Sequence, residues 1–244
     1  MNFLKSLCSQ ILFKAKYSGI FLVFLIMLQL PASSQDATTL VGKVKAKLDR
    51  VSDYVAEGRM KTDVAFIKAP AGKVKIFYKQ PNRFKLKRDG GISLLPKGGV
   101  SVNMNSVLAN GDFVAIASGE SFIEGIKVKV IKLLPTSETS DVVLTTLYID
   151  EANLLIKKST STTKENGTFE MEMVYGKFPQ YGLPDKVIFT FNTKDYKLPK
   201  GVTMEFDSGE KKTDADKLKN KKGRVEITYT SYIINKGVSD LEFK

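Results

Sequence analysis

The sequence predicts a mostly β protein (α+β, dominated by antiparallel strands) with one N-terminal helix. Three observations carry that class. A single stretch repeats its apolar residues with the 3.6-residue period of a helix. Everything from Tyr54 onward alternates apolar and polar residues with period two. Turn residues punctuate that alternation at short intervals.

The first segment of the 244-residue chain is set apart from this pattern. Met1 to Ser18 is basic, with Lys5, Lys14 and Lys16 and no acid, and Gly19 to Leu30 is an apolar run with Gln29 as its one polar residue. A run of about twelve is too short to span a bilayer, which takes roughly 20 residues. Pro31 ends it, and Ala32 and Ser34 are the small residues a signal peptidase requires. Residues 1–34 therefore read as a signal peptide and 35–244 as one exported domain, with the periplasm as the expected location. The only cysteine, Cys8, precedes the apolar run, so neither a disulfide nor a lipid-modified cysteine is expected after cleavage.

The helix is expected from Thr38 or Thr39 to about Ser52, with Val44, Leu48, Val51 and Val55 on one face. The strands follow. Gly58, Met60, Thr62, Val64 and Phe66 alternate with charged residues, as do Val74, Ile76 and Tyr78, then Phe84 and Leu86. Further on, Val128 and Val130 alternate with Lys127 and Lys129, and Phe169, Met171 and Met173 with Glu170 and Glu172. Val187 and Phe189, then Ile227 and Tyr229, complete the set. Such strands have one wet and one dry face. Turns are expected around Asp89 to Gly91, Lys97 to Gly99, Asn110 to Asp112, Asn166 to Thr168, Tyr181 to Pro184 and Pro199 to Gly201, giving about nine to eleven strands. Gly209 to Gly223, with Lys211 to Lys222 inside it, reads as a long lysine-rich hairpin loop.

Composition excludes much chemistry. There is no histidine and no tryptophan. That removes Ser-His-Asp catalysis and histidine-ligated metal. No cofactor, metal or catalytic residue is called for. Ser161 with Lys164 and Ser208 with Lys211 have a Ser-x-x-Lys spacing, but the companion motifs of such enzymes are missing. Glu170 and Glu172 belong to a wet face, and Asp214 and Asp216 lack the glycine and further oxygens of a calcium loop. The 38 basic residues, less Lys5, Lys14 and Lys16, leave 35 against 26 acids. Export argues against nucleic acid as the partner of that excess, and a solvated outer surface accounts for it.

Ten strands with one dry side either close into a barrel or curl around something. A dry face rich in Phe, Met and Tyr fits a filled core, and equally a concave sheet that keeps room for an apolar guest. Six segments bear on that choice. They are FYKQPNRFKLKR (Phe77 to Arg88), GIKVKVIKLLP (Gly125 to Pro135), LYIDEANLLIKKS (Leu147 to Ser159), NGTFEMEMVYGKF (Asn166 to Phe178), YGLPDKVIF (Tyr181 to Phe189) and NKGVSD (Asn235 to Asp240). In order and spacing the chain resembles the LolA-like periplasmic lipoprotein carriers and outer-membrane lipoprotein-sorting proteins, over almost the whole of 35–244.

The resemblance implies an unclosed antiparallel barrel whose concave face is covered by the N-terminal helix and short helices, around an apolar cavity for acyl chains. The dry-face residues become its lining: Val74, Ile76, Tyr78, Phe84, Leu86, Val128, Val130, Phe169, Met171, Met173, Val187, Phe189, Ile227 and Tyr229. Where the family has an arginine that bonds the lid, this chain has Lys85, which keeps the charge and loses the planar fork of donors. The implied protein is a monomeric, non-enzymatic carrier. It would take acylated lipoprotein or lipid from an inner-membrane donor complex to an outer-membrane acceptor. Gly125 to Pro135 also resembles sensors of envelope stress, which gives a lipid-sensing or scaffolding module as the alternative.

Overall fold

A computed structural model describes residues 33–63, 71–89, 108, 112–165, 167–192 and 222–244. The predicted leader up to residue 32, Val64 and Phe66, the turn glycines between 90 and 111, Asn166, the turn from Pro199 to Gly201, Ser208, and the lysine-rich loop as far as 221 lie outside the described residues.

Helix α1 spans Ser33–Leu48. Ala37, Leu40, Val41, Val44 and Leu48 form its buried stripe. Asp36 in the first turn and Lys45 and Lys47 in the last complement the helix dipole. The helix starts five or six residues and stops four residues before the predicted bounds. After Leu48 the bonding tightens to Arg50 N–H on Lys47 and Val51 N–H on Leu48. The carbonyls of Asp49, Arg50 and Val51 go to side chains distant in sequence, and Val55 falls on the next strand instead of extending the stripe.

Ten strands follow: β1 (Asp53–Asp63), β2 (Gly72–Lys79), β3 (Arg83–Arg88), β4 (Phe113–Ile123), β5 (Ile126–Pro135), β6 (Val142–Asp150), β7 (Leu155–Thr163), β8 (Gly167–Val174), β9 (Lys186–Asn192) and β10 (Lys222–Ile234). They form one antiparallel sheet in the order β3-β2-β1-β10-β9-β8-β7-β6-β5-β4. Strand β10 pairs with β1, so the two edges are β3 and β4, and these do not pair with each other. The sheet is an unclosed barrel. Edge β3 has six residues, among them Arg83, Lys85, Lys87 and Arg88. A short, charged edge resists pairing with other chains.

Alternation sends Tyr54, Ala56, Met60, Val74, Ile76, Tyr78, Phe189 and Ile227 into one continuous core on the concave side. Leu108, in helical conformation, is fully buried in the same core. The convex side carries ion pairs such as Lys158–Glu170 (2.8 Å) and Lys186–Glu226 (3.3 Å). A 3₁₀ turn at Pro179–Tyr181 lies beside α1. A second, Asp240–Phe243, packs on the convex side of β3 through partners that all point outward.

The C-terminal end of α1 is fastened by two residues distant in sequence. Gln80, in the β2–β3 turn, donates from Nε2 to the carbonyls of Asp49 (3.0 Å) and Val51 (3.1 Å). Asn235, at φ +55°, accepts from the Ser52 amide (2.8 Å) and donates to the Arg50 carbonyl (2.8 Å). Asparagine tolerates that left-handed backbone better than most residues. Leu48 packs over Gly182, where an added Cβ would lie 2.6 Å from Leu48 Cδ2 and the φ is +66°.

Replacing Asn235 with Ala removes these side-chain bonds, and those from the Ser52 hydroxyl (3.1 Å) and the Asp53 amide (3.5 Å), while the helix exit stays in place. Urea unfolding is expected to show a loss of about 1.5–3 kcal/mol with the fold retained. A change smaller than about 0.5 kcal/mol would mean that Asn235 does not fasten the helix.

Candidate functional site

The helix crosses one end of the barrel. Its fastened C-terminal end meets the β2–β3 turn and the end of β10, while its N-terminal half overlies β4 and β5. Between that half and the two strands opens a cleft of about 490 Å³. Its floor is apolar: Ala37, Leu40, Ala117, Ile131 and Leu154. Its rim is charged: Asp36, Lys43, Glu120, Lys129 and Glu151.

Local sequence explains the opening. Strand β4 bulges between Ala117 and Glu120, so that Ser118 and Gly119 together oppose Val130. Gly119 has φ +90°, with nothing within 4 Å of a Cβ built there. Ala115, Ala117 and Gly119 put no large side chain beneath the helix.

The rim is tied by charge. Glu120 accepts from Lys127 (2.7 Å) and Lys129 (2.7 Å), and Lys129 also reaches Glu151 (3.8 Å). Hydrogen bonds from the two ammonium groups hold the Glu120 carboxyl down at about 2, and the same contact raises Lys129. Glu120 and Lys129 therefore stay ionised through the neutral range. With a depressed carboxyl pKa, the contribution of this contact is present above the ordinary glutamate value and is lost as pH falls towards 2.

The structure gathers most of the predicted lining residues on the concave side. Val74, Ile76, Tyr78, Phe169, Met171, Met173, Val187, Phe189, Ile227 and Tyr229 all belong to the core, and Phe84 and Leu86 pack against it half-buried. Val128 and Val130 do not. Strand β5 pairs regularly with β6, putting Lys129, Ile131 and Leu133 opposite Ile149, Leu147 and Thr145 on the core side. Neither valine joins the core, although Val128 is buried, yet Val130 is the one of the fourteen predicted lining residues that lines the cleft. The expected register is inverted here because Lys127 and Lys129 have carboxylate partners at the mouth, so the lysines take the concave side.

Lys85 is also not a lid contact. It opposes Phe77 on the convex face and its ammonium donates to the Lys244 carbonyl. A residue following the inward Phe84 must point outward. The Ser161 hydroxyl shares a hydrogen bond with Thr145 (2.9 Å), while the Lys164 ammonium bonds the Glu138 carbonyl (2.8 Å), so this Ser-x-x-Lys pair is not joined. Among the described residues, no group of three or more Asp, Glu, Cys or His side chains could hold a metal.

Two features escape the alternation pattern. On β6 and β7 the inward positions Thr145, Ser159, Ser161 and Thr163 are buried hydroxyls, small groups facing the bulky Phe and Met of β8 and β9. Near the fastened end of the helix, Tyr54 packs on Tyr78 (5.2 Å between centroids) and Tyr232, and Tyr232 stacks on Tyr229 (5.0 Å). Burial pushes the Tyr54, Tyr229 and Tyr232 hydroxyls well up, so they stay neutral. The Tyr232 hydroxyl donates to the Pro184 carbonyl (2.7 Å).

Met171 is 1% exposed. The cleft, and not this stripe, is therefore where an added carboxylate would stay hydrated. Met171→Glu is expected to destabilise the fold by several kcal/mol, read by thermal melting. A variant melting like the parent would mean that water already reaches this stripe.

No protein-family model matches the chain, and no curated protein matches it significantly. Solved structures do. A putative outer membrane lipoprotein-sorting protein domain from Vibrio parahaemolyticus aligns at 12% identity and TM-score 0.52, over 86% of this chain and 97% of that one. A DUF1329 family protein from Desulfovibrio piger aligns at 12% identity and TM-score 0.52, over 87% and 97%. A LolA superfamily protein from Nitrosomonas europaea aligns at 10% identity and TM-score 0.50, over 84% and 97%. These likenesses concern the path of the chain: an unclosed antiparallel sheet covered at one end by a helix. By fold, the protein is LolA-like.

Proposed function

We propose that the protein is an exported, non-enzymatic carrier that shelters the acyl chains of lipoproteins or lipids and moves them towards the outer membrane. In this reading residues 1–34 are a cleaved leader and 35–244 a single binding domain, working as a monomer in the periplasm. An inner-membrane complex donates cargo and an outer-membrane protein accepts it. The observation that carries the reading is the apolar-floored cleft under α1, continuous with the core through Ala37, Leu40 and Ile131.

The physics suits such a cargo. Each methylene removed from water gains about 0.8 kcal/mol, without any polar chemistry. A chain with no histidine loses nothing by that. The cleft, at about 490 Å³, falls within the roughly 300–1,000 Å³ of small-molecule sites. Its rim offers both ammonium and carboxylate groups to a polar head, while the apolar floor takes the tail. A fit made of apolar contact and exposed charge leaves release possible, as a carrier requires.

Ala117 is exposed and lines the cleft outside the core, so Ala117→Trp fills the space without disturbing packing. Native mass spectrometry of the parent protein is expected to reveal bound acyl lipid or lipopeptide. Affinity of the tryptophan variant for a fluorescent fatty acid is expected to fall by about tenfold or more, equivalent to about 1.4 kcal/mol, with the melting temperature unchanged. A parent protein free of lipid, together with a variant that binds the probe as before, would refute the carrier.

A further inference from the structure

On the convex face of β1, β2 and β3, like charges stand directly opposite one another. The register sets Arg59 against Lys73, Lys75 against Lys87, and Lys79 against Arg83, while on the other side β1 sets Glu57 opposite Lys75 and Asp53 opposite Lys79. All six point away from the core, because Met60, Val74, Ile76 and Tyr78 on the same strands point into it. Directly opposed like charges weaken a sheet. Glu57 and Asp53 offset two of these pairs from β1, and the Arg59–Lys73 pair has no acid directly opposite it in either ladder.

The protein tempers part of this field. Lys75 and Lys87 lie 5.7 Å and 4.9 Å from the centroid of Phe77, which is itself buried on this outer face. The C-terminal turn contributes Asp240 to Lys79 (2.6 Å) and Arg83 (2.8 Å), and Glu242 to Lys87 (2.5 Å). Among the described residues Arg59 and Lys73 have no ion pair, and both are exposed. Between the two acids stands Leu241, 70% exposed, held over the same face.

We propose that the convex face of β1–β3 is a docking surface for a phospholipid bilayer carrying anionic headgroups, with Leu241 entering the boundary between headgroups and acyl chains. The cations form a two-dimensional array, spaced by the sheet itself and mostly lysine. Lysine is a hydrated point charge without the fork that selects a particular carboxylate. Laterally mobile phosphates match such an array in any register. An exposed apolar side chain within a basic field is the pairing that holds proteins at membrane interfaces. This face lies on the opposite side of the sheet from the cleft, and the inference does not depend on acyl binding there.

The test is flotation with vesicles of phosphatidylcholine containing about 30 mol% phosphatidylglycerol, against pure phosphatidylcholine. The protein is expected to float with the anionic vesicles only, and to be released when salt shortens the screening length from about 10 Å to about 3 Å. The double variant R59E/K73E exchanges one like-charge pair for another, so its melting temperature should hold while partitioning falls about tenfold or more. L241S should weaken partitioning with the melting temperature unchanged, and A117W should float like the parent. Equal partitioning to both vesicles, or undiminished partitioning of R59E/K73E, would overturn the proposal. Capture of soluble polyglutamate without flotation would also overturn it, in favour of an acidic protein.

Discussion

An unclosed sheet with one dry face is stable only if something covers that face, and much of this structure follows from how α1 does so. The helix runs from edge strand β4 to the β2–β3 turn, bridging the two sides that the sheet itself leaves unjoined. Sixteen residues give it about 24 Å of reach at 1.5 Å per residue. The two ends are attached differently. Gln80, Asn235 and the packing of Leu48 on Gly182 fix the C-terminal end through backbone carbonyls and a close contact. The N-terminal half rests on an apolar floor and is ringed by exposed ions.

That asymmetry positions the cleft. Small residues on β4 and the bulge beneath the helix keep space open at one place, while bulky aromatics fill the end where the helix is fastened. The inward hydroxyls of β6 and β7 add small polar groups to a core otherwise made of Val, Ile, Phe and Met. A receptor for a hydrocarbon tail needs little more: apolar walls, a mouth that stays hydrated, and no group that must titrate.

The sheet was legible wherever a strand has one polar and one apolar face, which covers β1, β2, β3, β8, β9 and β10. Strand β5 has the same appearance but was read with the wrong face inward. Its Lys127 and Lys129 point to the concave side because Glu120 and Glu151, on other segments, meet them there. Alternation alone does not reveal such a partner. Strands β6 and β7 gave a weak pattern because paired hydroxyls replace aliphatic groups on the inner face. The QPN turn and the NKGVSD ending could be noticed in the sequence, yet their work shows only in three dimensions. Gln80 and Asn235 take the backbone groups of Asp49 to Ser52, and a segment bonded to those side chains does not carry α1 on from Leu48 to Ser52.

The central claim is that hydrocarbon enters beneath the N-terminal half of α1. Photocrosslinking with a diazirine-bearing fatty acid, followed by peptide mapping, tests it most directly. The account predicts saturable labelling confined to peptides containing Leu40, Ala117 and Ile131, displaced by unlabelled fatty acid. Labelling that does not saturate, or that falls on the convex face away from these peptides, would contradict it.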